Sequence, residues 1–375
     1  MKKLILIAVV SAIMLCSGTA FAATVKIGLM APITGAFASE GQDMKKILEL
    51  MVEEVNKGGG INGSPVQLVV EDDGSAPLSA TTAASRLVAA GVPVAIGTYG
   101  SAVTEASQDI YDEAGIVQIG TGSTSIRLTA KGMKRFFRTC PRDDEQGRVA
   151  VATLKRFGYN NIAILHDNSA YAKGLADELK QGLEAEKRAK IIFFDALVPS
   201  ERDYSTILTK LKGLNPDVIF FTGYYPEAGL LQRQMAEMKM SVPMIGGDAT
   251  NNADLVTIAG AAAKGFRFIS PPMPSDINNK MAKDFLAAYQ AKYNSQPSSI
   301  WSVAAGDAFN VLVAAIKARG TDPAAIADFL HNDMRDGLDS LTGKIAFDAK
   351  GDRIGDLYRL YEVDGQGRFI LQSFE

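Results

Sequence analysis

The chain has little of the chemistry that a catalytic centre requires. Only two of its 375 residues are histidine and two are cysteine. Neither a G-x-S-x-G elbow, an H-E-x-x-H motif nor a paired-cysteine metal spacing occurs in it. His166 and His331 stand far apart, and a phosphate-binding loop and a complete dinucleotide fingerprint are missing. We therefore expect no enzymatic activity, no cofactor and no metal site.

The chain also lacks an excess of charge of either sign. Its 39 basic and 42 acidic residues leave a net charge of −3, and no basic block stands out. Nucleic acid is therefore not an expected partner. The acidic run from Glu71 to Asp73 lacks the alternating ligands and the distal glutamate of a calcium loop, so it is interpreted as a solvated strand end.

Residues 1–22 are predicted to be a removable export signal. Two lysines precede an apolar stretch and small residues that end in the sequence AFA. The apolar stretch is too short to span a membrane, and Cys16 lacks the small preceding residue of a lipoprotein signal. A mature chain starting near Ala23 keeps only Cys140, which predicts a periplasmic protein with no internal disulfide and a buried cysteine.

Strand and helix patterns alternate from the first mature residues. Short apolar runs such as VKIGLM and VQLVV are separated by amphipathic helices such as DMKKILELMVEEVN. This alternation predicts parallel sheets covered on both faces, and two successive series predict two lobes of one architecture. Ligands of such sheets bind beyond the carboxyl ends of the strands, so a cleft between the lobes is the expected site.

Two small-residue loops follow neighbouring strands of the first series. Residues 97–101 read GTYGS, with Tyr99 and Ser101, and residues 119–125 read IGTGSTS. Ser101 stands where a helix N-cap is expected, and backbone N–H groups at a helix start favour an anion. The second loop adds small groups that approach closely or donate: Gly122, Ser123 and Thr124. A carboxylate site and an ordinary helix cap are both consistent with this pattern.

Aromatic and acidic residues follow strands of the second series. Tyr171 follows NIAILHDNSA, Tyr224 follows DVIFFTG, and Asp248 follows PMIGG. Singly, each is compatible with rim packing or helix capping. Together they offer aromatic walls and an anion for the cationic end of a ligand.

At these residues the sequence resembles the periplasmic leucine/isoleucine/valine-binding proteins of bacterial ABC importers. The resemblance runs from about residue 25 to about 365 and is carried by stretches such as VKIGLMAPITGAFASEGQD, RFFRTCPRDDEQG and FFTGYYPEAG. It implies an α/β fold of two Rossmann-like lobes joined by three crossing segments. The lobe boundaries expected from it are 24–141 with 272–355, and 142–271 with 356–375.

The resemblance also implies a role for each candidate residue. Ser101 would bind a ligand carboxylate, the backbone carbonyl of Gly122 would meet the amino group, and Thr124 would meet the carboxylate. The tyrosines of the family's second lobe correspond to Tyr171 and Tyr224. The acidic partner of the ligand ammonium corresponds to Asp248, one methylene shorter than the usual glutamate.

Three features depart from the family pattern. Ser75 and Gly100 occupy the positions of a disulfide that is common in close relatives. Glu40 replaces an aromatic residue of the side-chain pocket, and Ala304 stands where a further pocket tyrosine is usual. Glu40 could stay at a wet rim, pair with a polar ligand, or lie exposed in a mobile loop.

The expected function is therefore that of a monomeric periplasmic binding protein. It would capture an L-amino acid, most plausibly a branched-chain aliphatic one, and deliver it to the membrane permease of an ABC importer. Two alternatives stay open: another small carboxylate or amide as ligand, such as an aromatic acid, urea or a short amide, or a ligand-sensing module.

Overall fold

A computed structural model describes residues 23–187 and 189–373. The predicted export signal, residues 1–22, lies outside the described residues. Alternation of short strands and helices begins at Val25, as the sequence pattern predicts.

The first lobe is built on a five-stranded parallel sheet with the order β2-β1-β3-β4-β5. Its strands are β1 (Val25–Ala31), β2 (Val66–Asp72), β3 (Val94–Ile96), β4 (Val117–Gly120) and β5 (Phe136–Arg138). The connecting helices are α1 (Ala38–Lys57), α2 (Pro77–Ala89), α3 (Ser101–Glu113) and the short α4 (Arg127–Ala130). Met44, Ile47 and Leu48 of α1 are fully buried, which is the face that the helical spacing predicts.

The second lobe repeats this architecture. Its parallel strands are β6 (Asn161–His166), β7 (Lys190–Ala196), β8 (Val218–Phe221), β9 (Met244–Gly246) and β10 (Arg267–Ser270). Its helices are α5 (Asp143–Arg156), α6 (Ala170–Glu186), α7 (Ser205–Leu214), α8 (Tyr225–Glu237) and α9 (Asp254–Ala259). The middle strands are buried on both faces, so they are continuous apolar runs without alternation.

The chain then returns to the first lobe and finishes in the second. The returning elements are α10 (Lys280–Tyr293), α11 (Ile300–Arg319), α12 (Pro323–Asn332) and a hairpin of β11 (Leu338–Ser340) and β12 (Gly343–Ile345). The last strands, β13 (Arg359–Val363) and β14 (Phe369–Leu371), are antiparallel and complete a sheet with the order β14-β13-β10-β9-β8-β6-β7.

Three segments therefore cross between the lobes: after β5, after β10 and after β12. The first and third are tied together by buried charges. Arg138 donates from Nε to Asp352 Oδ1 over 2.5 Å, and Arg353 donates from Nη1 to the carbonyl of Thr139 over 2.9 Å. These contacts form a hinge on one side of the interlobe cleft.

Two strands of the five-stranded and seven-stranded sheets, β5 and β10, were not among the predicted elements. They have only three and four residues and carry arginine, so neither forms an apolar run. They are strands because β4 and β9 offer them free edges. Helix α11 is long and apolar enough to cross a membrane by length and composition, but it packs on α1 and is mostly buried within the first lobe.

Candidate ligand site between the lobes

Ser101 lies at the start of α3 but is not its cap. Gly100 is the N-cap residue, with φ −82° and ψ 136°, and Ser101 is the first helical residue, which corrects the predicted cap. The Ser101 hydroxyl instead accepts a hydrogen bond from the N–H of Ser125 over 3.2 Å. Ser101 therefore ties the two small-residue loops together at the edge of the first sheet.

In the second loop, two backbone carbonyls are hydrogen-bonded, whereas two side-chain hydroxyls are not. Arg138 donates from Nη1 to the carbonyls of Ser123 and Ser125, over 3.1 and 2.8 Å. The hydroxyls of Ser123 and Thr124 are fully buried and have no hydrogen-bond partner. Buried hydroxyls without partners are costly, so these two groups are candidates for contact with a polar ligand.

Close packing explains the glycine in this loop. A Cβ at Gly122 would lie 2.6 Å from Cδ2 of Tyr99, well inside van der Waals contact. Tyr99 itself is buried, and its hydroxyl has no partner. Gly122 and Tyr99 are thus brought together, although neither loop alone specifies the contact.

Tyr224 of the second lobe meets Tyr99 across the cleft, and Tyr171 lies beside Tyr224. The ring centroids of Tyr171 and Tyr224 are 5.2 Å apart, and those of Tyr99 and Tyr224 are 5.8 Å apart. Phe37 completes this ring cluster, with its centroid 4.3 Å from that of Tyr224. Phe37 was not among the predicted site residues, because one aromatic residue in a small-residue loop is no signal by itself.

A cavity of about 590 Å³ opens at the outer end of the cleft. Phe37, Gly100 and Tyr224 line its inner end, and Asp167 and Glu227 lie on its second-lobe side. The ring cluster therefore stands between this cavity and the buried hydroxyls of Ser123 and Thr124.

Asp248 is buried directly after β9. Its Oδ2 accepts a hydrogen bond from the Tyr358 hydroxyl over 2.8 Å, and its carbonyl accepts one from Trp301 Nε1 over 3.3 Å. Burial raises the pKa of Asp248 to about 6, although the hydroxyls of Tyr171 and Tyr358 oppose the increase. Asp248 is thus mostly ionised at neutral pH although it is buried.

A second carboxylate, Asp143, shares this site and was not predicted. It is the first residue of α5 and is buried, yet neither of its oxygens has a hydrogen-bond partner. Its N–H donates to the carbonyl of Thr124 over 3.1 Å, which fixes it beside the second loop. Burial and the nearby Asp248 raise the pKa of Asp143 well above its ordinary range.

The sequence could not single out Asp143 from its neighbour Asp144. Both stand in the run PRDDEQ, but Asp144 is one-third exposed and paired with Arg142. Charged runs at a helix start usually lie on the surface. Only the close approach of the two lobes buries one of this pair.

Glu40 is neither exposed nor in a mobile loop, so that interpretation is wrong. It lies in the first turn of α1 and is fully buried. Its Oε1 accepts a hydrogen bond from Asn252 Nδ2 over 2.7 Å, and its Oε2 accepts one from the Ser299 hydroxyl over 2.6 Å. Both donors lie far away in sequence, which is why the local pattern gave no indication of burial.

Cys140 and the two histidines lie in separate surroundings. Cys140 is buried, its thiol lies 3.4 Å from the carbonyl of Ser123, and burial raises its pKa to about 12. His166 ends β6 and His331 lies in α12, on different lobes. Within residues 23–187 and 189–373, no group of three or more His, Cys, Asp or Glu could hold a metal ion.

Comparison with known proteins identifies the family. Residues 24–368 match the periplasmic binding protein family. The chain is 34% identical over 343 residues to the leucine-, isoleucine-, valine-, threonine- and alanine-binding protein of Pseudomonas aeruginosa, covering 90% of each chain.

Solved structures agree. A leucine-binding protein from Thermotoga maritima has a TM-score of 0.84 at 27% identity, covering 93% of this chain and 98% of that one. The branched-chain amino acid transporter substrate-binding protein of Streptococcus pneumoniae, in complex with isoleucine, has a TM-score of 0.83 at 28% identity, covering 92% and 97%. The chain therefore belongs to the periplasmic binding protein family, with its two-lobed α/β fold.

Proposed function

We propose that this protein binds an L-amino acid between its lobes and delivers it to an ABC importer. The preferred ligand in this proposal is a branched-chain aliphatic amino acid. The named relatives support the ligand class, since they are binding proteins for leucine, isoleucine and valine. Its mechanism is binding and lobe closure, with no chemical step.

The observation that carries the proposal is the set of buried polar atoms without partners. The hydroxyls of Ser123 and Thr124 lie on the first lobe, and both oxygens of Asp143 lie on the second. Asp143 donates its N–H to the Thr124 carbonyl and interacts electrostatically with Asp248, so the second loop and the two carboxylates are neighbours. An α-amino acid supplies what they lack: a carboxylate that accepts and an ammonium that donates.

The two charged ends of the ligand would bind opposite lobes. The carboxylate would lie at the start of α3, where Ser101 and the Thr124 hydroxyl and backbone meet the positive end of the helix. The ammonium would lie between Asp143 and Asp248, near the carbonyl of Gly122. Phe37, Tyr99 and Tyr224 would then cover the aliphatic side chain with apolar surface.

Binding would drive closure about the three crossing segments. The ligand would first meet the first lobe, and closure would then bring Tyr171, Tyr224 and Asp248 onto it. A ligand favours the closed form only to the extent that it binds that form more tightly, and the second-lobe contacts supply this difference. We place the protein in the periplasm as a monomer, with the importer's permease as its partner.

A ligand series tests the proposal and separates the two ends of the site. The protein is unfolded and refolded to remove bound ligand, and thermal shifts are recorded with all L-amino acids. Leucine is then compared with 4-methyl-2-oxopentanoate, which lacks the ammonium, and isopentylamine, which lacks the carboxylate. We expect shifts with leucine, isoleucine and valine and none with either truncated compound.

Two results would overturn the proposal. A shift with the keto acid equal to that with leucine would show that Asp143 and Asp248 do not bind an ammonium. Shifts with an aromatic acid or an amide, and with no amino acid, would assign the cleft to the alternative ligand class.

A further inference from the structure

Glu40, Asn252 and Ser299 form a seam, which is a hydrogen-bonded contact between the two lobes beside the candidate ligand site. Its own helix, α1, and Ser299 belong to the first lobe, while Asn252 follows β9 in the second. The hydrogen bond from Asn252 to Glu40 therefore exists only while the lobes are closed. It is one of the shortest contacts between side chains of opposite lobes, at 2.7 Å.

Both donors to Glu40 are held in position by further hydrogen bonds. Asn252 Oδ1 accepts from the N–H of Asp254 over 2.8 Å, and Asn252 Nδ2 donates to the Ser39 hydroxyl over 3.2 Å as well as to Glu40. The Ser299 hydroxyl accepts from the N–H of Trp301 over 3.1 Å at the start of α11. Such pre-oriented donors lose little entropy when the lobes close.

The Glu40 contacts are coupled to the acidic end of the site. Asn252 stands four residues after Asp248 in the segment that follows β9. Trp301, which follows Ser299, donates from its indole to the Asp248 carbonyl over 3.3 Å. Movement of Asp248 toward a ligand and docking of Asn252 on Glu40 are therefore parts of one closing motion.

The same contacts exclude Glu40 as a ligand-binding residue. Both of its oxygens are occupied by protein donors, at 2.7 and 2.6 Å. Asp143 differs, because both of its oxygens are without partners. A polar ligand would have to displace Asn252 or Ser299 before it reached Glu40.

We propose that Glu40 is a latch residue, which sets ligand affinity by stabilising the closed lobes through Asn252 and Ser299 without touching the ligand. The latch rests on the proposed function, since the affinity in question is that for an amino acid. Glu40 is a positioning residue in this scheme.

The charges around Glu40 make the latch depend on pH. The nearest ionised groups are Asp43 on its own helix and Asp254 at the start of α9, and the Lys46 ammonium is paired with Asp43 at 3.0 Å. The hydroxyls of Tyr99 and Tyr225 also face Glu40 and are neutral. Burial is the main cause that raises the pKa of Glu40 from 4.5 to about 8; the hydrogen bonds from Ser299 and Asn252 oppose the increase, and the two carboxylates add to it.

The direction of the effect follows from linkage. In the open form, water reaches Glu40 and its pKa returns toward 4.5, so closure takes up a proton between pH 4.5 and pH 8. The contribution of Glu40 to the closed form is therefore fully present below pH 4.5. It is lost as the pH rises toward 8, so ligand affinity falls by up to about tenfold per pH unit in this range.

Isothermal titration with leucine between pH 6 and pH 9 tests the latch. We expect the wild-type Kd to rise steeply up to pH 8. Glu40→Gln is neutral at every pH and keeps a carbonyl for Asn252, although its amide group replaces the acceptor of the Ser299 hydroxyl, so its Kd should change less than about twofold over the range. Glu40→Ala should bind about tenfold more weakly at pH 6. Glu49→Gln, an exposed position on α1, is the matched control and should follow the wild type.

Two outcomes of this titration would overturn the latch. One is an equally steep pH dependence in the wild type and in Glu40→Gln. The other is a change in the ratio of the Kd values for leucine and alanine in Glu40→Gln, because a latch shifts all ligands by one factor and a ligand contact does not.

A ligand-free measurement separates failure of the latch from failure of the proposed function. Leu78 and Val198 are 82% and 65% exposed near the cleft mouth on opposite lobes, and Cys140 is buried. Spin labels on a Leu78→Cys/Val198→Cys pair report the interlobe distance. If no amino acid binds, the proposed function fails, and the latch is judged by these distances alone. A closed fraction that grows toward low pH in the wild type but not with Glu40→Gln supports it, and identical distributions overturn it.

Discussion

Two groups of buried carboxylates lie at the lobe interface, and they differ in how their oxygens are satisfied. At the acidic end of the candidate site, both oxygens of Asp143 lack partners, and Asp248 accepts a hydrogen bond from the hydroxyl of Tyr358. At the seam, both oxygens of Glu40 are bonded to Asn252 and Ser299. An unsatisfied buried carboxylate is costly and marks a place for a ligand cation, whereas a satisfied one joins two parts of the protein. Burial alone does not distinguish these roles, but the partner atoms do.

Asp248→Asn is expected to have the largest effect on ligand affinity, and it tests whether the carboxylates at the acidic end bind the ligand. The amide keeps the size of the side chain but leaves the ligand ammonium with less negative charge, which should weaken leucine binding by about 100-fold. Titration calorimetry at pH 7.5 measures the loss, and Asp144→Asn serves as the control on the exposed neighbour of Asp143. Unchanged affinity in Asp248→Asn would remove Asp248 from the ligand site.

A second effect concerns pH and is best measured in the Glu40→Gln protein, which lacks the titrating seam group. Asp248 has a pKa of about 6 in the ligand-free site, and an ammonium partner favours its ionised form. Fewer protons are then bound in the complex, so affinity should be constant above pH 7 and fall as the pH drops below 6. We expect a loss of up to about tenfold between pH 6 and pH 5. Constant affinity down to pH 5 would contradict the assigned role.

Thr124→Val tests the role of an unsatisfied hydroxyl on the first lobe. Its hydroxyl has no partner in the protein, so its removal should leave the melting temperature of the ligand-free protein unchanged or slightly higher. Leucine affinity should fall by about tenfold, because a hydrogen bond to a charged group is lost.

Ser299→Ala is the matched variant at the seam. The Ser299 hydroxyl already bonds Glu40, so its loss should lower the melting temperature of the ligand-free protein. Equal losses of stability in Thr124→Val and Ser299→Ala would contradict the assignment of Thr124 as a ligand-binding group and Ser299 as a structural one.

The smallest change is expected from Gly122→Ala. The added methyl group would meet Tyr99 at 2.6 Å, so the ring must move. Such overpacking costs about 1 kcal/mol or more, and we expect affinity to fall about fivefold while the protein stays folded. Circular dichroism confirms folding, and unchanged affinity would show that Tyr99 does not line the site.

Much of the fold could be predicted because its signals are local. The apolar spacing of α1, including Met44 and Leu48, and the continuous apolar strands of both lobes follow from the order of residues. The loops that contain Ser101 and Thr124, and the positions of Tyr171, Tyr224 and Asp248 after strands, followed from the same alternation. The strands β5 and β10 could not be predicted, because three or four residues with arginine are strands only beside an existing sheet edge.

The sequence by itself determined the alternation of strands and helices, and hence which loops stand at the carboxyl edge of each sheet. Only the tertiary structure decided which polar residues at those edges are left unsatisfied. Asp143 and Asp144 are adjacent and chemically identical, and Glu40 sits in an ordinary amphipathic helix. The environments of these carboxylates depend on residues more than a hundred positions away in the sequence. Asp143 interacts with Asp248, and Glu40 is hydrogen-bonded to Asn252.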